Sequence, residues 1–118
     1  MLIKNNYYSS SVHCSYYACF QLSKETMIHF FGLSTKDIDV EVNKTKSKEH
    51  AYIENYIHEQ LVQKKFVGEA RDYHNFMKQL KRFRVESDYH EILALSDTAT
   101  IALTYCDRVL SILNTVFL

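Results

Sequence analysis

Arg84 and His90, with five residues between them, are the side chains in this sequence best suited to chemistry. A guanidinium keeps its positive charge at any working pH, whereas an imidazole gains and loses a proton near neutrality. The pair therefore combines an anion-binding group with a proton-transfer group. Phosphate chemistry is the natural use of such a pair, so we expect Arg84 and His90 to act together on a phosphate.

The composition indicates which elements must position this pair. The chain has 118 residues, of which 47% are hydrophobic, and this favours one compact domain over residues 1–118. Proline is absent and glycine occurs only at Gly32 and Gly68, so few positions interrupt a helix. The sequence therefore predicts an all-α fold.

The spacing of apolar residues predicts four helices, which we expect to run up and down a bundle. The first is expected to begin at one of the serines at 9–11, which can cap a helix, and to end at Gly32. The second is expected to cover about residues 49–66, with Gly68 separating it from the third. The third is expected to end at Arg84, and the fourth to follow directly.

Each predicted helix has one apolar face that is expected to join the core. Steps of three and four residues separate the members of a face, as in helices that pack in a bundle. The residues predicted to face inward are Val12, Tyr16, Cys19, Phe20, Met27, Phe30 and Phe31 in the first helix, Ile53, Tyr56, Ile57 and Leu61 in the second, Tyr73, Phe76, Leu80 and Phe83 in the third, and Ile92, Leu95, Ala99, Ala102, Cys106, Val109, Leu113 and Val116 in the fourth.

The fourth helix is expected to begin at a capping box beside His90. Asp88 can accept N–H groups of the first turn while Glu91 reaches back to the first residue of the box. His90 would then lie in the first turn, where free N–H groups and the positive end of the helix dipole favour a bound phosphate. The same field would lower the pKa of His90.

The first connection, from Ser34 to Lys48, is rich in polar residues and is predicted to be a long loop, the segment with the greatest tendency to disorder. Ile38, Val40 and Val42 alternate as they would in a short strand, but a lone strand has no partner in an all-α chain. A distorted helical turn or an edge that pairs with another molecule are the alternatives. The predicted architecture is thus an up-and-down four-helix bundle with a long polar first connection.

Charge and cysteine usage bound the classes of function. Fourteen basic residues balance fourteen acidic ones, so any contact with nucleic acid must come from a local patch. Cys14, Cys19 and Cys106 lie in apolar helical patterns without CxxC spacing, which predicts buried, reduced thiols rather than disulfides. No apolar run is long enough to cross a bilayer. We therefore expect a cytoplasmic protein without membrane contact.

Two short segments carry a family resemblance. Residues 15–20, with the sequence Ser-Tyr-Tyr-Ala-Cys-Phe, are followed much later by a segment from Leu80 to His90 in which Arg84 precedes the histidine. The first segment resembles the Tyr-Tyr-Ala-x-Phe motif in the first long helix of the HEPN superfamily, small helical bundles of higher eukaryotes and prokaryotes that include many ribonucleases. The second is similar to that family's ribonuclease motif, an arginine followed after four to six residues by a histidine.

The resemblance implies metal-independent cleavage of RNA, without a cofactor. The ribose 2′-hydroxyl would attack the adjacent phosphate and leave a cyclic phosphate on one product. His90 would transfer the proton as base or acid, and Arg84 would stabilise charge on the phosphoryl oxygens. Family members commonly dimerise, so a homodimer is expected, and the biological role implied is that of the toxin in a toxin–antitoxin or phage-defence system.

Further residues near the motif are candidates for RNA binding. Lys78, Lys81 and Arg82 are expected to hold the RNA backbone without reading its sequence, and Tyr89 to stack on a base. A solvated helix face is the alternative interpretation of the three cations. An aromatic pair such as Tyr16 and Tyr17 is more typical of core packing than of ligand contact.

A non-catalytic interaction module is the alternative function. Active members often have a polar residue directly after the arginine, where this chain has Val85, and some carry a tyrosine two residues after the histidine, where this chain has Ile92. Such a module would bind a nucleotidyltransferase-like partner or a nucleotide. His50, Glu54 and His58 recur every four residues, but no further ligand completes a metal shell around them, so no metal site is predicted.

Overall fold

The computed structural model describes residues 2–46, 48–86 and 92–117, and nearly all of them are helical. They form five helices: α1 (Leu2–His29), α2 (Thr35–Thr45), α3 (Glu49–Gln63), α4 (Val67–Glu86) and α5 (Ile92–Phe117). The prediction of an all-α fold is confirmed. The prediction of four helices was wrong, because the described residues contain a fifth helix, α2, within the first connection.

The helix α2 occupies most of the segment that was predicted to be a loop and prone to disorder. Its first turn is closed by a capping box, in which the Asp37 N–H donates to Ser34 Oγ at 3.0 Å and the Ser34 N–H donates to Asp37 Oδ2 at 3.0 Å. Ile38 is buried and Val42, one turn later, packs against the core. Their spacing of four residues fits a helix, which explains why the strand-like alternation was misleading.

The helix α1 lies against α3, α4 and α5, and α4 packs between α3 and α5. Their buried faces meet in one core, whose members are Val12, Tyr16, Cys19, Phe20, Met27, Ile38, Ile53, Ile57, Leu61, Ala70, Tyr73, Met77, Leu80, Ala99, Ala102, Cys106, Val109, Leu113 and Phe117. The predicted apolar faces of the long helices supply most of this core. The inward positions predicted at Ile92 and Leu95 lie outside the residues whose side chains are described.

Phe30 and Cys14 were predicted to be buried but are exposed. Phe30 is 43% exposed because it lies just beyond the end of α1, where its ring contacts Phe31 and Phe117 at the edge of the core. Cys14 is exposed, unlike Cys19 and Cys106, which are buried as predicted. An apolar residue within a helix is buried only if it points at a neighbouring helix, and Cys14 lies off that face.

The helix ends follow the glycines only in part. Gly32 has φ of 71°, and beyond it the Leu33 N–H donates to the Met27 carbonyl at 3.2 Å, so α1 stops close to the predicted glycine. The start of α1 at Leu2 contradicts the predicted start at residues 9–11, since the serines do not interrupt a helix. Gly68 lies inside α4, and the turn before α4 instead has Lys65 in a left-handed conformation with φ of 69°.

Within the described residues, none of the helices has both the length and the apolar character that spanning a membrane requires.

Candidate functional site

Arg84 lies in the last turn of α4 and lines an open cavity of about 310 Å³. The other lining residues come from α4 and from the beginning of α3: Lys48, His50, Ala51 and Lys81. Three of the five lining residues are therefore cationic. This cavity, called here the α3–α4 cavity, has the charge that a phosphate would need.

The guanidinium of Arg84 is held over an aromatic surface on α1. Its Cζ lies 4.7 Å from the ring centre of Tyr16 and 5.9 Å from that of Tyr17. A cation above a tyrosine ring is attracted by the ring's negative face, by about 0.5–2 kcal/mol depending on desolvation. Tyr16 and Tyr17 of α1 thus position the arginine by contacting its guanidinium. Because Tyr16 is fully buried, the packing around it restrains the ring that holds the guanidinium.

Lys81, one turn before Arg84, is anchored by a carboxylate. Its Nζ lies 2.9 Å from Glu54 Oε2, and the Glu54 side chain is only 14% exposed. The same oxygen accepts a hydrogen bond from the Tyr16 hydroxyl at 3.3 Å. Glu54 therefore joins α1, α3 and α4 through one carboxylate. The pair leaves Lys81 beside the cavity but neutralises part of its charge.

His50 lies in the first turn of α3 with its ring fixed on two sides. The ring stacks on Phe20 with 4.1 Å between centres, and its Nδ1 is 2.8 Å from the Tyr16 hydroxyl oxygen. Burial lowers the pKa of His50 below its ordinary value, and the positive charge of Arg84 lowers it further, although Glu54 opposes the shift. His50 is therefore neutral at pH 7.

The amino terminus of α3 adds a partial positive charge to the same cavity. Lys48 is the N-cap residue of α3. Lysine is not a favoured residue at this position, and its side chain makes no cap hydrogen bond. Lys48, His50 and Ala51 all line the cavity. The N–H groups of a first helical turn have no partner within the helix and favour anions. The amino terminus of α3 and the charge of Arg84 therefore both favour an anion in this cavity.

The residues predicted to bind RNA are divided between two regions. Lys81 lies with Arg84 in the α3–α4 cavity, and Lys78 lines an adjacent cavity of about 170 Å³ that also includes Lys81 and Glu54. Arg82 is exposed and is not among the lining residues described; it lies 3.8 Å from a Glu86 carboxylate oxygen. Residues two apart on a helix point in different directions, which separates Arg82 from Arg84.

His90 and Tyr89 lie outside the described residues, as does the capping box predicted at Asp88 and Glu91. The prediction that His90 acts with Arg84 therefore remains a prediction. Arg84, its other member, is half-buried at the mouth of the α3–α4 cavity.

His50 is the residue that sequence reasoning missed. The spacing in the sequence relates it only to Glu54 and His58, as in a metal site, yet Glu54 instead pairs with Lys81, and the His58 ring lies 5.6 Å from that of His74. Among the residues that the structure describes, no group of three or more His, Cys, Asp or Glu side chains could hold a metal ion. The cue in the sequence is a histidine near a helix start, two residues after Lys48, but Arg84, which lines the same cavity, lies 34 positions further along the chain.

The Tyr-Tyr-Ala-x-Phe segment does more than fill the core. Tyr16 and Phe20 are buried as predicted, whereas Tyr17 is 46% exposed, so its predicted core role was wrong. All three aromatic rings contact His50 or Arg84. The segment therefore supports the α3–α4 cavity directly.

Comparison of the chain with protein-family models, with curated proteins and with solved structures found no match.

Proposed function

We propose that this protein is a metal-independent endoribonuclease of the HEPN type, with Arg84 and His90 as its catalytic residues. The observation that carries the proposal is the cationic α3–α4 cavity, in which Lys48, Lys81 and Arg84 lie around one opening. Its volume of about 310 Å³ is at the lower end of the range of about 300–1,000 Å³ found for small ligand sites. A phosphodiester with part of its ribose is a ligand of suitable size and charge.

In the proposed reaction the ribose 2′-oxygen attacks the neighbouring phosphorus and the bond to the 5′-oxygen breaks. Negative charge grows on the non-bridging phosphoryl oxygens, and Arg84 stabilises it because its guanidinium is already held in place by Tyr16. His90 transfers a proton, as an imidazole near neutral pH is suited to do. The products carry a 2′,3′-cyclic phosphate and a 5′-hydroxyl.

The biological setting belongs to the same proposal. We place the enzyme in a toxin–antitoxin or phage-defence system, acting as a homodimer in the cytoplasm and held inactive by an antitoxin of the nucleotidyltransferase type. The resemblance of residues 15–20 and of the segment from Leu80 to His90 to HEPN motifs supports this setting. The exposed ring of Tyr17 and the exposed Val85, both beside Arg84, offer apolar surface for a protein contact.

Cleavage of single-stranded RNA in the presence of EDTA tests the proposal. The wild-type protein should generate cyclic-phosphate ends, while Arg84→Ala and His90→Ala should each lose most of this activity. Arg82→Ala is the matched control, because Arg82 is on the same helix and does not line the α3–α4 cavity. Cleavage by both the Arg84 and His90 variants at the wild-type rate would exclude the proposed chemistry, provided that circular dichroism shows all variants folded.

A non-catalytic interaction module is the second candidate, and Val85 is the observation that favours it. Val85 is 50% exposed directly after Arg84, where it supplies an apolar contact and no polar group to a reaction. Co-purification with a nucleotidyltransferase-like protein, together with no cleavage across a broad RNA panel, would establish this function. Disruption of that complex by Val85→Asp would locate the interface.

A further inference from the structure

A hydrogen-bond chain leads from a carboxylate on α3 through a tyrosine on α1 to a histidine at the start of α3. The Tyr16 oxygen lies 3.3 Å from Glu54 Oε2 and 2.8 Å from His50 Nδ1. Lys81 Nζ lies 2.9 Å from the same Glu54 oxygen. Each of the three polar groups in the chain thus has a defined neighbour.

The protons that each group can donate indicate which groups donate and which accept along these hydrogen bonds. An ionised carboxylate only accepts hydrogen bonds, and a phenol has one proton to donate. The Tyr16 O–H donates to Glu54 Oε2 at 3.3 Å. With the Tyr16 O–H donating to Glu54, the Tyr16 oxygen accepts from His50 at 2.8 Å, and this arrangement assigns the hydrogen to Nδ1. In a neutral imidazole the other nitrogen, Nε2, is then left unprotonated.

The ring of His50 is restrained, and its surroundings favour the neutral imidazole. Stacking on Phe20, with 4.1 Å between ring centres and 17° between planes, restrains rotation of the ring. Burial and the nearby charge of Arg84 lower the pKa of His50, and Lys81 adds to the effect. The charged groups that oppose the shift are Glu54 and Glu49. The lowered pKa favours the neutral imidazole of His50, which lines the cavity that also contains Arg84.

We propose that His50 is a second catalytic residue of this site, the general base that accepts the proton of the ribose 2′-hydroxyl, and that Tyr16 and Glu54 are positioning residues which set its tautomer. The inference rests on the proposed ribonuclease function and adds a substrate-contacting residue to it. It also assigns separate tasks to two histidines, since one cleavage requires one base and one acid.

The proton balance of the step is complete. His50 Nε2 takes the proton from the 2′-hydroxyl as the 2′-oxygen forms a bond to phosphorus. The bond between phosphorus and the 5′-oxygen breaks, and that oxygen takes a proton from the protonated His90. Arg84 neutralises charge on the phosphoryl oxygens throughout. Return of one proton from His50 to solvent, and uptake of one by His90, restores the starting state.

The tautomer can be measured without any RNA. Long-range ¹H–¹⁵N correlation spectra of the wild-type protein should show the Nδ1–H tautomer for His50, whereas most free histidines favour Nε2–H. Tyr16→Phe removes the acceptor but keeps the ring beneath Arg84, and should shift His50 toward Nε2–H. Tyr17→Phe is the matched control and should leave the tautomer unchanged. An Nε2–H tautomer of His50 in the wild-type protein would overturn the inference even if RNA is cleaved.

The catalytic role is tested by His50→Asn. The asparagine amide can still donate to Tyr16 in place of Nδ1, but it provides no base at the position of Nε2. Single-turnover cleavage should fall by about 10²–10⁴-fold, the usual contribution of general base catalysis, while RNA affinity stays within about twofold of wild type. His58→Asn, on the same helix, should have no effect. Wild-type cleavage by a folded His50→Asn protein would refute the role of His50.

The two proposals fail in different ways. If the wild-type protein cleaves no RNA, the proposed function fails and the assignment of His50 as a catalytic base falls with it, whatever its tautomer. If the wild-type protein cleaves RNA and His50→Asn does so equally well, only the role of His50 is lost.

In Tyr16→Phe, the acidic limb of the pH–rate profile should also move, because the tautomer and pKa of the base have changed. An unmoved limb would exclude a positioning role for Tyr16.

Discussion

The charge on the α3–α4 cavity makes the salt dependence of RNA binding a quantitative test of the site. Arg84→Gln removes one positive charge from the cavity and keeps a side chain of similar length. Arg82→Gln removes the same charge from the same helix, two residues away, at an exposed position that is not among the described lining residues. Both variants have the same net charge, so only the location of the lost charge differs.

The size of the effect follows from the groups around the cavity. Lys48, Lys81 and Arg84 are positive, and Glu54, which is bound to Lys81, cancels one of these charges. The surplus of two charges can neutralise about two phosphates. For single strands this gives a slope of log affinity against log salt of about −1.4, that is, a loss of about sevenfold between about 50 and about 200 mM salt. With Arg84→Gln the slope should fall to about −0.7 and the loss to about threefold.

Fluorescence anisotropy of a labelled single-stranded RNA, titrated at several salt concentrations, measures this slope. If the RNA can be cleaved, 2′-deoxy substitution removes the attacking hydroxyl and permits an equilibrium measurement. The slope for Arg82→Gln should remain within about 0.2 of wild type, since an exposed cation that does not line the cavity neutralises little of the charge of a phosphate bound there. A larger loss of slope for Arg82→Gln than for Arg84→Gln would show that RNA does not lie in the α3–α4 cavity.

Three further expectations concern the fold that holds the site. Ser23→Ala should lower the free energy of unfolding by about 1–3 kcal/mol, because it leaves the fully buried Tyr73 hydroxyl without its partner at 2.8 Å. Tyr73→Phe should lower it by only about 1 kcal/mol. The reverse order in urea denaturation would contradict this. Ser34→Ala removes the N-terminal cap of α2 and should cost about 1 kcal/mol and speed amide hydrogen exchange in that helix; unchanged exchange would argue against the capping box. The folded-state pKa of His50 lies below its ordinary value of 6.5, so the stability it contributes is present above about pH 6.5 and is lost as the pH falls through the folded-state pKa. The wild-type protein should therefore lose more stability on acidification than His50→Asn does. Equal losses in urea titrations would contradict this.

The helices and most of the core could be predicted from the sequence because the information for them is local. A chain without proline, in which apolar residues recur every three or four positions, can bury them only by forming helices and packing their faces together. The buried positions of α3, including Ile53, Ile57 and Leu61, followed directly from this spacing. The error at α2 had a local cause as well, since Ser34 and Asp37 are a capping signal that the alternating apolar residues of that segment obscured.

The composition of the cavity was decided only by tertiary structure. The type and position of Arg84 singled it out in the sequence, but its support by Tyr16 and its closeness to His50 depend on how α1, α3 and α4 are rotated against one another. A rotation of one helix by a single residue would turn its side chains by about 100° and remove such a contact without changing any local pattern. Core burial fixes that rotation collectively, from many apolar contacts at once. For that reason the sequence alone determined which side chains were capable of phosphate chemistry, and packing determined which of them meet.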